Sequence, residues 1–148
     1  MKTFLDTNVF VFGLTQKESN SKKTLELAEN NQIEIVTSEL VVKEVVKVFR
    51  RISSQKEAYF ALKYVQSIAE IIPRKNILKE ITEFKGKIKE KDLENIATVK
   101  HKKIKYLISF DKGYKDFEEY KTPKQFIQEH GLNAQKTDFW KKVLNSRT

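Results

Sequence analysis

Lys2-Thr3-Phe4-Leu5-Asp6-Thr7-Asn8-Val9 is the stretch that decides the fold. Thr3 to Leu5 is a short β-forming, apolar run, the signal of a buried strand, and it ends directly on an acid. Near the other end of the chain, Ile104-Lys105-Tyr106-Leu107-Ile108-Ser109-Phe110-Asp111 repeats the arrangement, an apolar strand from Ile104 to Phe110 and then a carboxylate. Ile33 to Val36, and Ala69 to Ile72 before Pro73, are two further strand signals. Helix-period segments lie between them: Ser21 to Asn30, Glu39 to Ile52, Gln55 to Ile68, Asn76 to Glu90, Leu93 to Lys102, and Lys124 to Glu129 behind Pro123. Strands alternating with helices imply an α/β protein, a mostly parallel sheet between helices, with its ligand site beyond the carboxyl ends of the strands. Asp6 and Asp111 would both be delivered to that edge.

The 148 residues suffice for one domain with a real core. Four glycines and two prolines leave no flexible linker, so a single domain over 1–148 is expected. Within it, 135–148 is a candidate helical extension: Phe139, Trp140 and Val143 fall at helix-like spacing and either pack on the domain or bind a partner. The absence of cysteine excludes disulfides, thiolate catalysis and Cys-based zinc sites. No apolar run is long enough to cross a bilayer, and Asp6 interrupts the N-terminus too early for a signal peptide, so a cytoplasmic protein is expected. The formal charge of +9 makes a polyanion the natural partner, nucleic acid first among them, although a lysine-rich surface that only maintains solubility has the same composition.

Taken singly, the acids have ordinary explanations. Asp6 before Thr7 and Asn8 reads as a helix cap, Asp111 before Lys112-Gly113 as a turn, and Asp92 as the cap of the helix it begins. Glu90 and Glu94 beside it look like solvated charge. Glu44 is more informative. On an idealised helix, Val41, Val42, Val45, Val48, Phe49 and Ile52 form one apolar arc, Lys43, Lys47 and Arg50 fall outside it, and Glu44 lies on its border, half withdrawn from water. Such a carboxylate usually has a partner. Together, Asp6, Glu44, Asp92 and Asp111 suggest hard-cation chemistry. Mg²⁺ and Mn²⁺ prefer carboxylate oxygen and water, crowded carboxylates repel without a cation, and the ion activates water and neutralises charge on a phosphodiester. Neither His101 nor His130 lies in a nucleophile context, and no GxxxxGK[ST], GxGxxG or HExxH motif is present.

In order and setting these acids resemble the PIN domain, the fold of many small endoribonucleases, VapC-type toxins of toxin-antitoxin pairs among them. The resemblance covers most of the chain. Its elements are Phe4-Leu5-Asp6-Thr7-Asn8-Val9, Ser38-Glu39-Leu40 leading to Glu44, Lys91-Asp92-Leu93-Glu94-Asn95-Ile96-Ala97, Tyr106-Leu107-Ile108-Ser109-Phe110-Asp111, and Thr122-Pro123-Lys124-Gln125-Phe126. It implies an α/β/α sandwich with Asp6, Glu44, Asp92 and Asp111 as catalytic ligands of Mg²⁺ or Mn²⁺, directly or through water. Thr7 and Asn8 would orient Asp6, and Ser109 stands where the family often has threonine. Gly113 occupies a place where many relatives carry another acid, and Asp116 lies too far along to replace it. The activity implied is hydrolysis of single-stranded or structured RNA, with Lys43, Lys47, Arg50, Arg51, Lys112 and Lys115 as candidate phosphate contacts. A VapC-type toxin would also need an antitoxin that blocks the acidic pocket, often with a basic side chain.

The runner-up is a non-catalytic protein of the same fold that binds RNA or serves as a scaffold, against which the intact four acids argue. Receiver and haloacid-dehalogenase-like domains also place Asp after a first strand, but they call for an acid pair there or a later lysine, and Asp6 is followed by Thr7-Asn8. A flap-cutting DNA repair nuclease usually adds clamps for which this chain is short. Tyr59, Phe60, Leu62, Tyr64, Val65 and Ile68 form an apolar helix that is either core or a homodimer face.

Overall fold

The computed structural model describes residues 1–132. Five parallel strands form one sheet: β1 (Lys2–Leu5), β2 (Glu34–Ser38), β3 (Ala69–Ile72), β4 (Tyr106–Ile108) and β5 (Tyr120–Lys121). Their order is β3-β2-β1-β4-β5. The chain therefore builds outward from β1 to β3, then returns to the far side of β1 with β4. The gap between β1 and β4 is the topological switch point, where connections diverge and leave a crevice at the carboxyl edge.

Seven α-helices flank this sheet in an α/β/α sandwich among the described residues: α1 (Thr7–Thr15), α2 (Asn20–Glu29), α3 (Glu39–Ile52), α4 (Gln55–Ile68), α5 (Leu78–Phe84), α6 (Glu90–His101) and α7 (Pro123–Glu129). The best-specified is α3. Ser38 caps it by accepting from Val41 N, Glu39 sits in its positive first turn and Arg50 and Arg51 in its negative last turn. Its apolar arc is turned inward as expected, with Val41, Val45 and Phe49 buried, while Lys43, Lys47 and Arg50 face water. At α7, Thr122 and Gln125 form a capping box ahead of Pro123. Phe4, Leu5, Phe10, Leu107, Ile108 and Phe126 fill the core that these helices close over.

Several expectations are corrected, and the strand read from Ile104 to Phe110 is confined to Tyr106–Ile108. The helix expected from Asn76 to Glu90 is shorter. Residues Arg74–Ile77 form a 3-10 turn, α5 ends at Phe84, and Gly86 (φ +83°) supplies the left-handed backbone that lets the chain turn away. As a result α6 begins at Glu90, its cap position is Lys89, and Asp92 lies in the first turn instead of capping it. The sequence pattern also missed α1, which runs directly from Asp6. Val9, Phe10, Val11 and Phe12 are all buried, so no amphipathic period marks it as a helix. Gly13 lets α2 approach, since a Cβ there would lie 2.3 Å from Leu25 Cδ1. The two-residue β5 is likewise below the length at which periodicity speaks. On α4 the core reading holds for Val65, with Tyr64 and Ile68 partly buried against the core, but not for Tyr59 and Phe60, which are exposed. No helix among the described residues is long and apolar enough to cross a membrane. The proposed extension 135–148 lies outside the described residues.

Candidate active site

Asp6 leaves β1 at the switch point with its carboxylate fixed on both oxygens. Oδ1 accepts from Thr7 N at 2.8 Å and Oδ2 from Ser109 Oγ at 2.6 Å. The buried Ser109, just past β4, in turn accepts from Asp111 N at 2.9 Å. One hydroxyl thus ties the acid after β1 to the acid after β4. Asp111 accepts from Gly113 N at 2.8 Å and pairs with Lys91 Nζ at 3.2 Å. A Cβ on Gly113 would lie 3.0 Å from Asp111 Oδ1 and 3.4 Å from Asp92 Oδ2, so both carboxylates crowd the same point. Gly113, without a side chain, leaves that point open. From α3, Glu44 completes the wall, and all four acids line one cleft of about 730 Å³ together with Thr7, Asn8, Asn95, Ser109, Lys112 and Tyr114.

Glu44 is more exposed than the helix arc suggested, yet its carboxylate is partly shielded where it faces the cleft. Thr7 supports Asp6 through its backbone N–H and not through its hydroxyl. That hydroxyl makes no hydrogen bond of ordinary length, although it stands near enough to Glu44 to favour its charged form. Asn8 lines the cleft and makes no hydrogen bond to Asp6 among the described residues. Of the basic candidates, Lys112 borders the cleft; Lys43, Lys47, Arg50, Arg51 and Lys115 are exposed outside it, with Arg50 bonded to Gln55.

The electrostatics are those of a site with unmet negative charge. Burial pushes the Asp6 carboxyl up, and Asp111 and Asp92 add to this against the opposing Ser109 and Thr7 hydrogen bonds. Burial and Asp6 raise Glu44; burial and Asp111 raise Asp92. Asp111 alone is held low, because the Gly113 N–H and Lys91 outweigh its own burial. All-oxygen donors and mutual repulsion fit a hard divalent cation. Among the described residues no three acidic or imidazole side chains are drawn into a ready-made cage. Carboxylates would therefore share the ion with water, as suits Mg²⁺, which keeps several of its own.

The chain matches the PIN domain family over residues 3–120. It belongs to that family. Among the solved structures that resemble it are a toxin-antitoxin complex from Klebsiella pneumoniae and VapBC2 from Rickettsia felis bound to a DNA fragment from their promoter. The first is 19% identical with a TM-score of 0.63, covering 82% of this chain and 97% of that one. The second is 20% identical with a TM-score of 0.61, covering 82% and 98%. At these identities the likeness shows the fold. No curated protein matches by sequence. PIN domains are typically nucleases that use divalent metals.

Several residues in or beside the cleft of this PIN domain were not legible in the sequence as part of this arrangement. Asn95 reaches Asp6 and Tyr114 from α6, Tyr114 is a buried cleft wall, Lys91 neutralises Asp111, and Glu94 is buried, not solvated. The available signal for Asn95 was its spacing of three from Asp92, which puts both on one helix face.

The raised acids set a pH dependence. A carboxyl whose folded value lies above its unfolded one contributes stability below the unfolded value and loses it as pH rises through the folded one. Asp6, Glu44 and Asp92 act this way, and Asp111 in the opposite sense, its contribution being lost as pH falls through its lowered value. Because a divalent cation competes with those protons, Mg²⁺ or Mn²⁺ is expected to raise Tm more at pH 7.5 than at pH 5. Thermal melts across that range check it; an equal rise at both ends would contradict it.

Proposed function

We propose that the protein is a metal-dependent endoribonuclease of the VapC-toxin type, hydrolysing phosphodiester bonds of single-stranded or structured RNA. The observation that carries this reading is the convergence of Asp6, Glu44, Asp92 and Asp111 on one cleft at the switch point of the sheet. Supporting it are the charge of +9, family membership, and the toxin-antitoxin complexes among the similar folds.

In this reading Asp6, Glu44, Asp92 and Asp111 would hold Mg²⁺ or Mn²⁺, directly or through water. The bound cation supplies Lewis-acid polarisation of the phosphate and activation of water. Ser109 and the Thr7 N–H keep the Asp6 carboxylate from rotating. Lys112, at the rim, meets an incoming phosphate; Lys43, Lys47, Arg50, Arg51 and Lys115 extend that attraction beyond the cleft. An open cleft of this size suits unpaired backbone better than a duplex. The acids also suit capture by a basic side chain of an antitoxin, and the exposed Tyr59 and Phe60 are the surface we assign to a second copy of the chain.

The test is cleavage of labelled single-stranded RNA by purified protein with Mn²⁺ or Mg²⁺, beside EDTA and single-stranded DNA of the same sequence. Cutting of RNA that EDTA stops and metal restores supports the reading. Cutting that persists in EDTA removes it, and binding without cutting favours the non-catalytic RNA-binding alternative.

A further inference from the structure

Asn95 is 3% exposed and lies in the middle of the acidic cleft wall. Its surroundings decide how its amide is turned. Ser38 Oγ already accepts from Val41 N at 3.1 Å as the cap of α3, and its own proton goes to Asn95 Oδ1 at 2.7 Å. The amide oxygen is therefore held toward α3, and the NH₂ group is directed at the acids. One of its protons goes to Tyr114 Oη at 3.1 Å; the other faces Asp6 Oδ1 at 3.5 Å, the outer limit for a hydrogen bond. Because Tyr114 Oη accepts from Asn95, the phenol proton is left for another acceptor, and it favours the charged form of Asp92. One neutral amide thus faces Asp6 directly and fixes the Tyr114 phenol, which lines the cleft with Asp92.

We propose that Asn95 is a positioning residue for the divalent cation, a neutral amide that Ser38 orients so that it holds Asp6, and the Tyr114 phenol in the cleft wall, in place for the ion. The proposal rests on the nuclease reading of the same acids. The residue type follows from the contacts. A carboxylate in this place would put a second negative charge 3.5 Å from Asp6 and would have no proton for Tyr114, whereas an alanine would release Asp6 and the Tyr114 phenol. The link from α3 through α6 to the ends of β1 and β4 is continuous: Ser38, Asn95, Asp6, Ser109 and the backbone of Asp111.

Mn²⁺ affinity, read by calorimetry, and the melting of the metal-free protein test this together. Asn95→Ala is expected to lower Mn²⁺ affinity about 10- to 100-fold, the usual loss when a group supporting a metal ligand is removed. Affinity that falls in Asn95→Ala while the metal-free protein still melts as a folded domain is the signature; a packing role alone would lower Tm and leave the affinity of the folded protein unchanged. Ser38→Ala, which keeps the amide but lets it turn, should lower affinity in the same direction as Asn95→Ala and keeps the test open if that variant does not fold. Wild-type affinity in Asn95→Ala or in Ser38→Ala would overturn the proposal alone. A wild-type protein that binds no Mn²⁺ would overturn the nuclease reading with it.

Discussion

Asp6→Asn is expected to abolish RNA cleavage, by about 10³-fold or more, while leaving the fold intact. The substitution keeps the shape and removes one charge from the acid that the most contacts fix. Asn can still accept from Thr7 N through Oδ1, and its Nδ2 can donate to Ser109 Oγ in place of the bond that Ser109 now donates. The cost is one reoriented hydroxyl, about 1 kcal/mol. Against it stands the relief of a buried carboxylate that Asp111 and Asp92 repel. The metal-free melting temperature should therefore stay within a few degrees of wild type or rise, while the Tm gain on adding Mn²⁺ largely disappears. Cleavage assays beside melts with and without Mn²⁺ read both effects. If the variant cuts RNA at the wild-type rate, the cleft at the end of β1 is not where the chemistry occurs.

The acids were legible to different degrees, for physical reasons. Asp6 and Asp111 could be found because each follows an apolar strand, Asp6 directly and Asp111 three residues past the end of β4, and a parallel sheet delivers such residues to one edge. Glu44 could be found because a helix arc is periodic, although its exposure was underestimated: the arc describes the helix and not the open cleft beside it. Asp92 was placed in its helix but misjudged as a cap, since the signals that start α6 are weak; Lys89 offers no side-chain cap. In α6 every residue from Asp92 to Val99 is buried, polar ones included. Sequence pattern assigns polar residues to water by default. Asp92, Glu94, Asn95 and Thr98 escape that rule only through partners, and for Glu94 and Asn95 these are far away in the chain, at Leu40, Arg74, Ser38, Tyr114 and Asp6. No local reading supplies such partners.

Glu94 carries the largest expected effect on stability among the residues around the site. Its carboxylate is 6% exposed, accepts from Leu40 N at 2.9 Å and pairs with Arg74 Nη1 at 2.8 Å. Arg74 also donates its backbone N–H to Glu39. One side chain therefore clamps α6 to the first turn of α3 and to the 3-10 turn after β3. Because Arg74 is about half exposed, its charge can return to water when Glu94 is removed; the unsatisfied Leu40 N–H and the lost packing cannot be recovered so easily. Glu94→Ala should cost about 2 kcal/mol, a Tm fall of roughly 4–8 °C for a chain of this size. Glu94→Gln keeps an acceptor for Leu40 N and should lose less than half of that. The two variants also separate clamp from charge. Loosening α3 lets Glu44 drift from Asp6, so Glu94→Ala should lower cleavage as well as Tm. Glu94→Gln removes a negative charge that raises Glu44, which makes Glu44 easier to ionise and should hold Mn²⁺ binding steady as pH falls. Identical melting of Glu94→Ala and wild type would show that α3 and α6 are held together by their apolar faces alone.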